Sequence, residues 1–259
     1  MKKLMKAICL ILSLCTFCAL FAACSDNMGQ AGKSEYTGDA NVDRSHKAYF
    51  NYEKASTSYG STIDSEKVAL AVNSMKVEDF VPSDKTGDYV LIKVKDYGSI
   101  VVLLRYDVAP GTVENFKKLV HEGFYSGTIF HRIIEDFMIQ GGGLIVKDNP
   151  NGNGTIIDIK EADTITGEFR ANGFVNNLKH VRGVISMARS ENYNSASSQF
   201  FIMHATKTHL DGGYAAFGYV LAGMEVVDKI AACKDFLEEG GTMPMYDIII
   251  ESVTFVEPK

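Results

Sequence analysis

The sequence predicts a mainly β fold, a closed antiparallel barrel or sandwich that carries helices at its ends. Between Tyr89 and Val256, short runs rich in β-branched and aromatic residues alternate with breaks rich in Gly and Asn. This pattern is typical of many short strands joined by turns. Two stretches in the same region have apolar residues at helical spacing, so we expect two helices packed against the sheet.

A hairpin opens this region, because two β-branched strands, Tyr89–Lys95 and Ile100–Leu104, flank a Tyr-Gly turn. A helix follows, with Thr112 as its predicted cap and Gly123 as its end. Helical spacing returns at Met224–Ala232. The remaining predicted strands are Phe130–Ile134, Phe137–Gln140, Gly183–Ala188, Gln199–Met203, Phe217–Leu221 and Ile248–Val256.

The first residues of the chain have the pattern of an export signal. Lysines at the start precede an apolar run, Ala7–Ala23, which ends in small residues just before Cys24. The string LFAAC resembles the lipobox of bacterial lipoproteins, in which lipid on the cysteine anchors the mature protein. An ordinary signal peptide cut elsewhere, or an uncleaved anchor helix, remains an alternative interpretation.

Composition divides the chain into three parts. Residues 1–23 are predicted to be a lipoprotein signal peptide, and 24–80 a polar tether rich in Ser, Asn, Asp and Gly. Part of this tether could be helical, since Ser65–Val77 has apolar residues, Leu70 among them, that could line one helix face. Residues 81–259 are the predicted folded domain. The net charge of -6 argues against nucleic acid as a partner, because nucleic-acid binding requires a basic surface.

Four sequence blocks identify the domain. They are FHRIIEDFMIQGGG at 130–143, ISMARS at 185–190, SSQFFI at 197–202 and LDGGYAAFG at 210–218. In order and spacing they resemble the cyclophilin family of peptidyl-prolyl cis–trans isomerases, over roughly Tyr89 to Val256. The resemblance implies an eight-stranded barrel capped by two helices, and an enzyme that accelerates rotation about X–Pro bonds. Together with the export signal, it predicts that the enzyme acts on exported proteins and so assists their folding.

The resemblance also implies a set of site residues. Arg132 would donate a hydrogen bond to the prolyl nitrogen, and Gln140 would bind the substrate backbone and orient Arg132. Phe137 would complete the catalytic set and form the proline slot with Met138, Phe201 and Leu210. The other predicted substrate-binding residues are Ala188, Arg189, Ser190 and Gln199, which would line the groove for residues before the proline, and His209 and Tyr214.

The predicted reaction needs no cofactor or metal, because it breaks no bond, and no histidine has the spacing of a zinc site. His209 stands where many eukaryotic cyclophilins have tryptophan, so we expect weak cyclosporin binding. The expected partners are proline-containing polypeptides and a cell membrane, with the domain held on its extracytoplasmic side by lipid on Cys24. Two alternatives remain open: a tethered module that binds Pro-containing segments without turnover, and general chaperoning through Ser65–Val77.

Overall fold

Ten β-strands and three α-helices are the main elements of the structure, a computed structural model that describes residues 64–148 and 155–259. The strands are β1 (Phe80–Pro82), β2 (Tyr89–Val94), β3 (Gly98–Leu104), β4 (Thr128–Ile134), β5 (Met138–Asp148), β6 (Thr155–Ile159), β7 (Val184–Met187), β8 (Phe200–Met203), β9 (Ala216–Ala222) and β10 (Ile250–Pro258). The helices are α1 (Ser65–Ala71), α2 (Pro110–His121) and α3 (Met224–Ala231).

Eight of these strands form a ring. Hydrogen-bonded neighbours follow the order β10-β2-β3-β9-β7-β8-β5-β4, and every pair is antiparallel. β4 then meets the chain just before β10, where Ile129 pairs with Ile249 and the Phe130 N–H donates to the Ile248 carbonyl at 2.9 Å. The predicted eight-stranded antiparallel barrel is confirmed. β1 and β6, which pair with β10 and β5, are additions that the sequence pattern did not predict.

Alternation along the strands separates two apolar layers. On β2, Val90, Ile92 and Val94 belong to the barrel interior, which α2 and α3 also help to fill. Leu91, between them, belongs to a second cluster on the other face of the sheet. Successive side chains of a strand point to opposite faces, so this second cluster lies on the outer surface of the barrel. The candidate site lies on this outer surface.

The start of α2 differs from the prediction. Pro110 is the first residue of the helix, and the residue before it offers no side-chain cap. Thr112 is buried inside the first turn, so its assignment as the cap was wrong. The acceptor is instead the carboxylate of Glu168, which receives hydrogen bonds from the Gly111 N–H (2.9 Å), the Thr112 N–H (2.7 Å) and the Thr112 hydroxyl (2.6 Å). A residue distant in sequence therefore accepts the hydrogen bonds of the N–H groups at the start of the helix.

The last part of the predicted tether packs on the barrel. It contains α1, in which Val68 is buried in the outer cluster. Leu70, predicted to lie on the apolar face, is instead 79% exposed. The Asn73 side-chain oxygen accepts hydrogen bonds from the N–H groups of Gly223 (3.0 Å) and Met224 (3.1 Å) at the start of α3. This segment is thus part of the folded body.

The predicted signal peptide (1–23), the predicted lipidation residue Cys24 and the tether up to residue 63 lie outside the described residues. Within the part that the structure describes, no helix has both the length and the apolar character needed to cross a membrane.

Replacing Glu168 with alanine tests the remote capping of α2. The change leaves buried N–H donors without an acceptor, which costs about 1–3 kcal/mol of folding free energy. Urea denaturation should therefore show a loss of this size for Glu168→Ala. The exposed Glu161 is the matched control, and Glu161→Ala should change the unfolding free energy by less than about 0.5 kcal/mol. Equal losses in the two variants would contradict the capping role.

Candidate active site

The register of neighbouring strands places three predicted site residues in one row. Arg132 on β4 is opposite Gln140 on β5, and Gln140 is opposite Phe201 on β8. Ser186 on β7 is in turn opposite Phe201. Residues directly opposite in antiparallel strands present their side chains on the same face. The row therefore lies on one face, and Phe201 identifies it as the outer one.

Polar contacts link Arg132 to two glutamines. Its Nη1 lies 3.5 Å from the Gln140 Oε1, and the Gln140 Nε2–H donates to the Gln199 Oε1 at 3.0 Å. The same Nη1 lies 3.9 Å from the Met138 sulfur, and the guanidinium carbon is 6.0 Å from the centre of the Phe137 ring. The guanidinium thus contacts both the linked side-chain amides of the two glutamines and apolar side chains.

Gly143 makes room for this chain of amides. A Cβ atom at this position would lie 2.4 Å from the Cγ of Gln199, which is far inside van der Waals contact. Gln199 can therefore lie against β5 only because residue 143 has no side chain.

An apolar cluster adjoins the row, and we call it the pocket because it contains the residues of the predicted proline slot. Met138, Phe201 and Leu210 are 1%, 5% and 7% exposed and belong to the outer cluster. The predicted site residues that pack against this cluster while partly exposed are Phe137, Ala188 and Tyr214. The Tyr214 ring meets the Phe201 ring edge-on with centroids 5.8 Å apart, and the His209 ring is 6.0 Å from the Phe137 ring. The structure therefore brings the predicted proline slot together beside Arg132.

The family follows from comparison with known proteins. The family model described as cyclophilin type peptidyl-prolyl cis-trans isomerase/CLD matches residues 89–255. The chain belongs to the cyclophilin family. This match spans seven of the eight strands of the ring completely and β10 as far as residue 255.

Several relatives of this cyclophilin are named as peptidyl-prolyl cis–trans isomerases. A probable peptidyl-prolyl cis-trans isomerase of Brucella suis is 36% identical over 199 residues, covering 74% of this chain and 93% of that protein. Peptidyl-prolyl cis-trans isomerase B of Escherichia coli is 40% identical over 173 residues, covering 62% of this chain and 96% of that protein. The cyclophilin described here is therefore a peptidyl-prolyl cis–trans isomerase.

A solved structure is also similar. It is the crystal structure of a Cryptosporidium parvum cyclophilin type peptidyl-prolyl cis-trans isomerase in the presence of the dipeptide Ala-Pro. The match has a TM-score of 0.51 and 29% sequence identity, and it covers 64% of this chain and 98% of that one. The similarity agrees with the barrel fold found here.

His180 is a site-supporting residue that the sequence did not reveal. It lies in the segment before β7, where its side chain is fully buried and stacks on the Phe201 ring at 6.0 Å. One ring nitrogen is 3.1 Å from the Asp211 carboxylate and the other is 3.1 Å from the Ser186 hydroxyl. His180 therefore supports the Phe201 wall of the pocket. A lone histidine in a polar stretch carries no sequence signal of this role.

Arg189 and Ser190 hold loops together. The Arg189 guanidinium donates to the carbonyls of Gly213 (2.8 and 3.0 Å) and Ser190 (2.8 Å). It also lies 4.6 Å from the centre of the Tyr214 ring. The Ser190 hydroxyl donates to the Ser195 hydroxyl at 2.7 Å. These contacts brace the pocket rim against the 190–197 loop, while direct contact of Arg189 with substrate stays a prediction.

The turn that carries Phe137 is also fixed from outside the pocket. The Phe137 carbonyl accepts hydrogen bonds from the N–H groups of His204 (2.9 Å) and Ala205 (3.2 Å). The N–H of Asp136, whose φ is +58°, donates to the Nδ1 of His204 at 2.9 Å. Sequence reasoning missed His204, because only the folded chain brings it beside this turn.

Two imidazoles near the site have lowered pKa values. Burial, assisted by the charge of Arg132, lowers the pKa of His131 to about 4. Burial also lowers the pKa of His180, against the opposing effect of Asp211. Both rings are therefore neutral near pH 7, whereas the guanidinium of Arg132 stays charged. Among the described residues, no group of three or more His, Cys, Asp or Glu side chains is arranged to hold a metal ion.

The lowered pKa values predict how stability depends on pH. Below about pH 6.5 the unfolded chain protonates these imidazoles while the folded protein does not, so the free energy of unfolding falls as pH drops from about 6.5 to 4. Urea denaturation at several pH values measures this slope. A His131→Asn variant, which removes one of the two groups, should show a shallower slope. A slope unchanged by the substitution would mean that His131 has its ordinary pKa in the folded protein.

Proposed function

We propose that Arg132 catalyses rotation about the X–Pro bond by donating a hydrogen bond to the prolyl nitrogen. Resonance gives the peptide C–N bond double-bond character, and rotation about it meets a barrier of about 18–20 kcal/mol. In the twisted state the nitrogen regains its lone pair and becomes a better acceptor. A donor held in place for that state lowers the barrier, because it binds the transition state more strongly than the planar amide.

The position of Arg132 beside the apolar side chains of Met138 and Phe137 is the observation that carries this proposal. A proline ring bound against Met138 and Phe201, which are almost fully buried, would place its nitrogen near the guanidinium. Gln140, held by Gln199 at 3.0 Å, would orient Arg132 and bind the substrate backbone. Arginine suits the role because its guanidinium stays charged and presents fixed N–H groups.

Substitution of Arg132 tests this mechanism. Loss of a well-placed transition-state donor typically costs about 2.7–4 kcal/mol, or a hundred-fold and more in rate. Arg132→Ala should therefore lower kcat/KM for an X–Pro test peptide by at least about that factor while the circular dichroism spectrum is unchanged. Arg105, which pairs with Asp107 outside the site, is the matched control, and Arg105→Ala should retain activity.

Two outcomes would contradict the mechanism. One is a folded Arg132→Ala variant with unaltered turnover. The other is a wild-type protein that binds the peptide without turning it over, which would favour the tethered binding module.

We further propose that the enzyme acts on exported polypeptides while held at a membrane by lipid on Cys24. The support is the order of a positive start, an apolar run and the LFAAC string in the first 24 residues. Lipid chains contribute roughly 0.8 kcal/mol per buried CH₂ group, so several chains on one cysteine form a stable anchor. The folded domain would then lie on the extracytoplasmic side. Separately, we expect weak cyclosporin binding, because His209 stands where many eukaryotic cyclophilins have tryptophan.

Replacing Cys24 tests the anchor. In a bacterial expression host, Cys24→Ser should move the protein from the membrane fraction to the soluble fraction, because serine cannot accept the thioether-linked lipid. The isomerase activity per mole should not change. Cys233, a partly buried free thiol of the folded domain, provides the control, and Cys233→Ser should remain in the membrane fraction. A Cys24→Ser protein that still sediments with membranes would rule out this anchor.

A further inference from the structure

A hairpin between α3 and β10 presents an exposed apolar surface. Its two arms are joined by the bridge between Phe236 and Pro244, by the Leu237 N–H donating to the Met243 carbonyl at 3.0 Å, and by the Met245 N–H donating to the Asp235 carbonyl at 2.8 Å. Residues paired across such a hairpin share a face, and neighbours along an arm lie on opposite faces.

The two faces of this hairpin differ. Phe236 packs against the barrel interior and Pro244 is buried, so their face is the inner one. Leu237 and Met245, on the outer face, are 43% and 52% exposed. We call these two side chains the hairpin surface. Single exposed apolar residues are ordinary, but a cluster with a polar rim is typical of an interaction site.

The hairpin adjoins the strand that carries Arg132. The Thr242 carbonyl accepts a hydrogen bond from the Ile133 N–H at 2.8 Å, so the hairpin lies directly after Arg132 along the edge of β4 that faces away from β5. At the base of the hairpin, Lys234 forms an ion pair with Glu135, in the turn that leads to Phe137. Two contacts therefore join the hairpin to the strand and the turn that carry the predicted catalytic residues.

The strand order indicates which part of a substrate would reach it. Gln140 and Gln199 lie on the β5–β8 side of Arg132, where the residues before the proline are expected. The hairpin lies on the opposite side of β4. Consider an extended substrate chain with its proline in the pocket and the preceding residues over the glutamines. The residues that follow the proline would then cross β4 towards the hairpin.

We propose that the hairpin surface binds apolar side chains that follow the proline in an extended, unfolded substrate chain. The inference rests on the proposed function and adds a substrate class to it: polypeptides with apolar residues just after the isomerised X–Pro bond. Glu238 and Glu239 at the hairpin tip are exposed and keep the rim of the surface hydrated. Such segments are exposed in unfolded chains and buried in folded ones, so the surface directs the enzyme to folding intermediates.

Two peptides test the surface. Both contain the core Ala-Ala-Pro followed by a short extension, Leu-Ser-Phe-Ser in one and Gly-Ser-Gly-Ser in the other. The wild-type protein should isomerise the apolar peptide with a kcat/KM roughly 5- to 30-fold higher, the factor expected from partial burial of apolar side chains. In the Leu237→Ser/Met245→Ser variant, the ratio of the two kcat/KM values should approach one.

A variant with equally exposed apolar residues elsewhere is the control. Leu70 and Ile159 are 79% and 48% exposed, and Leu70→Ser/Ile159→Ser should keep the wild-type ratio. Equal kcat/KM values for the two peptides in the wild type, or a ratio that survives in the hairpin variant, would overturn the inference. Turnover of neither peptide by the wild type would instead overturn the proposed function, and this inference with it.

Discussion

The cross-strand register of β4, β5 and β8 is the constraint on which the candidate site depends. Gln140 has Arg132 on one side and Phe201 on the other, so the polar and apolar halves of the site meet at a single strand. A one-residue slip in an antiparallel pair moves every side chain to the other face. The interior packing of Ile133, Ile139 and Ile202 on the alternate positions prevents that slip. The barrel core therefore fixes the geometry of the outer face.

Side chains outside the strands also hold the pocket walls in place. His180 stacks on Phe201 while bonding to Ser186 and Asp211, and Arg189 ties the loop at Gly213 to the pocket rim. Preorganisation of this kind matters for an enzyme whose reaction makes and breaks no covalent bond. In the proposed mechanism, the rate advantage depends on donors and walls that are already in place when the amide twists.

Local patterns predicted the strands well and the long-range contacts poorly. The alternation of Val90, Ile92 and Val94 is visible in the sequence and is found in the barrel interior. The start of α2 was misassigned to Thr112, because its acceptor, Glu168, is 56 residues away. The family strings identified Arg132, Gln140 and Phe201, and the register brings them together. His180 and His204 were missed, because their roles exist only through contacts that the fold creates.

We propose that the X–Pro substrate binds at the row from Arg132 to Phe201. The test is a titration of the isotopically labelled protein with an X–Pro peptide, followed by amide chemical shifts in two-dimensional NMR spectra. The largest shift changes should occur at Arg132, Gln140 and Phe201 and in the adjoining pocket around Leu210. Large changes on another face of the barrel, with these amides unchanged, would contradict it.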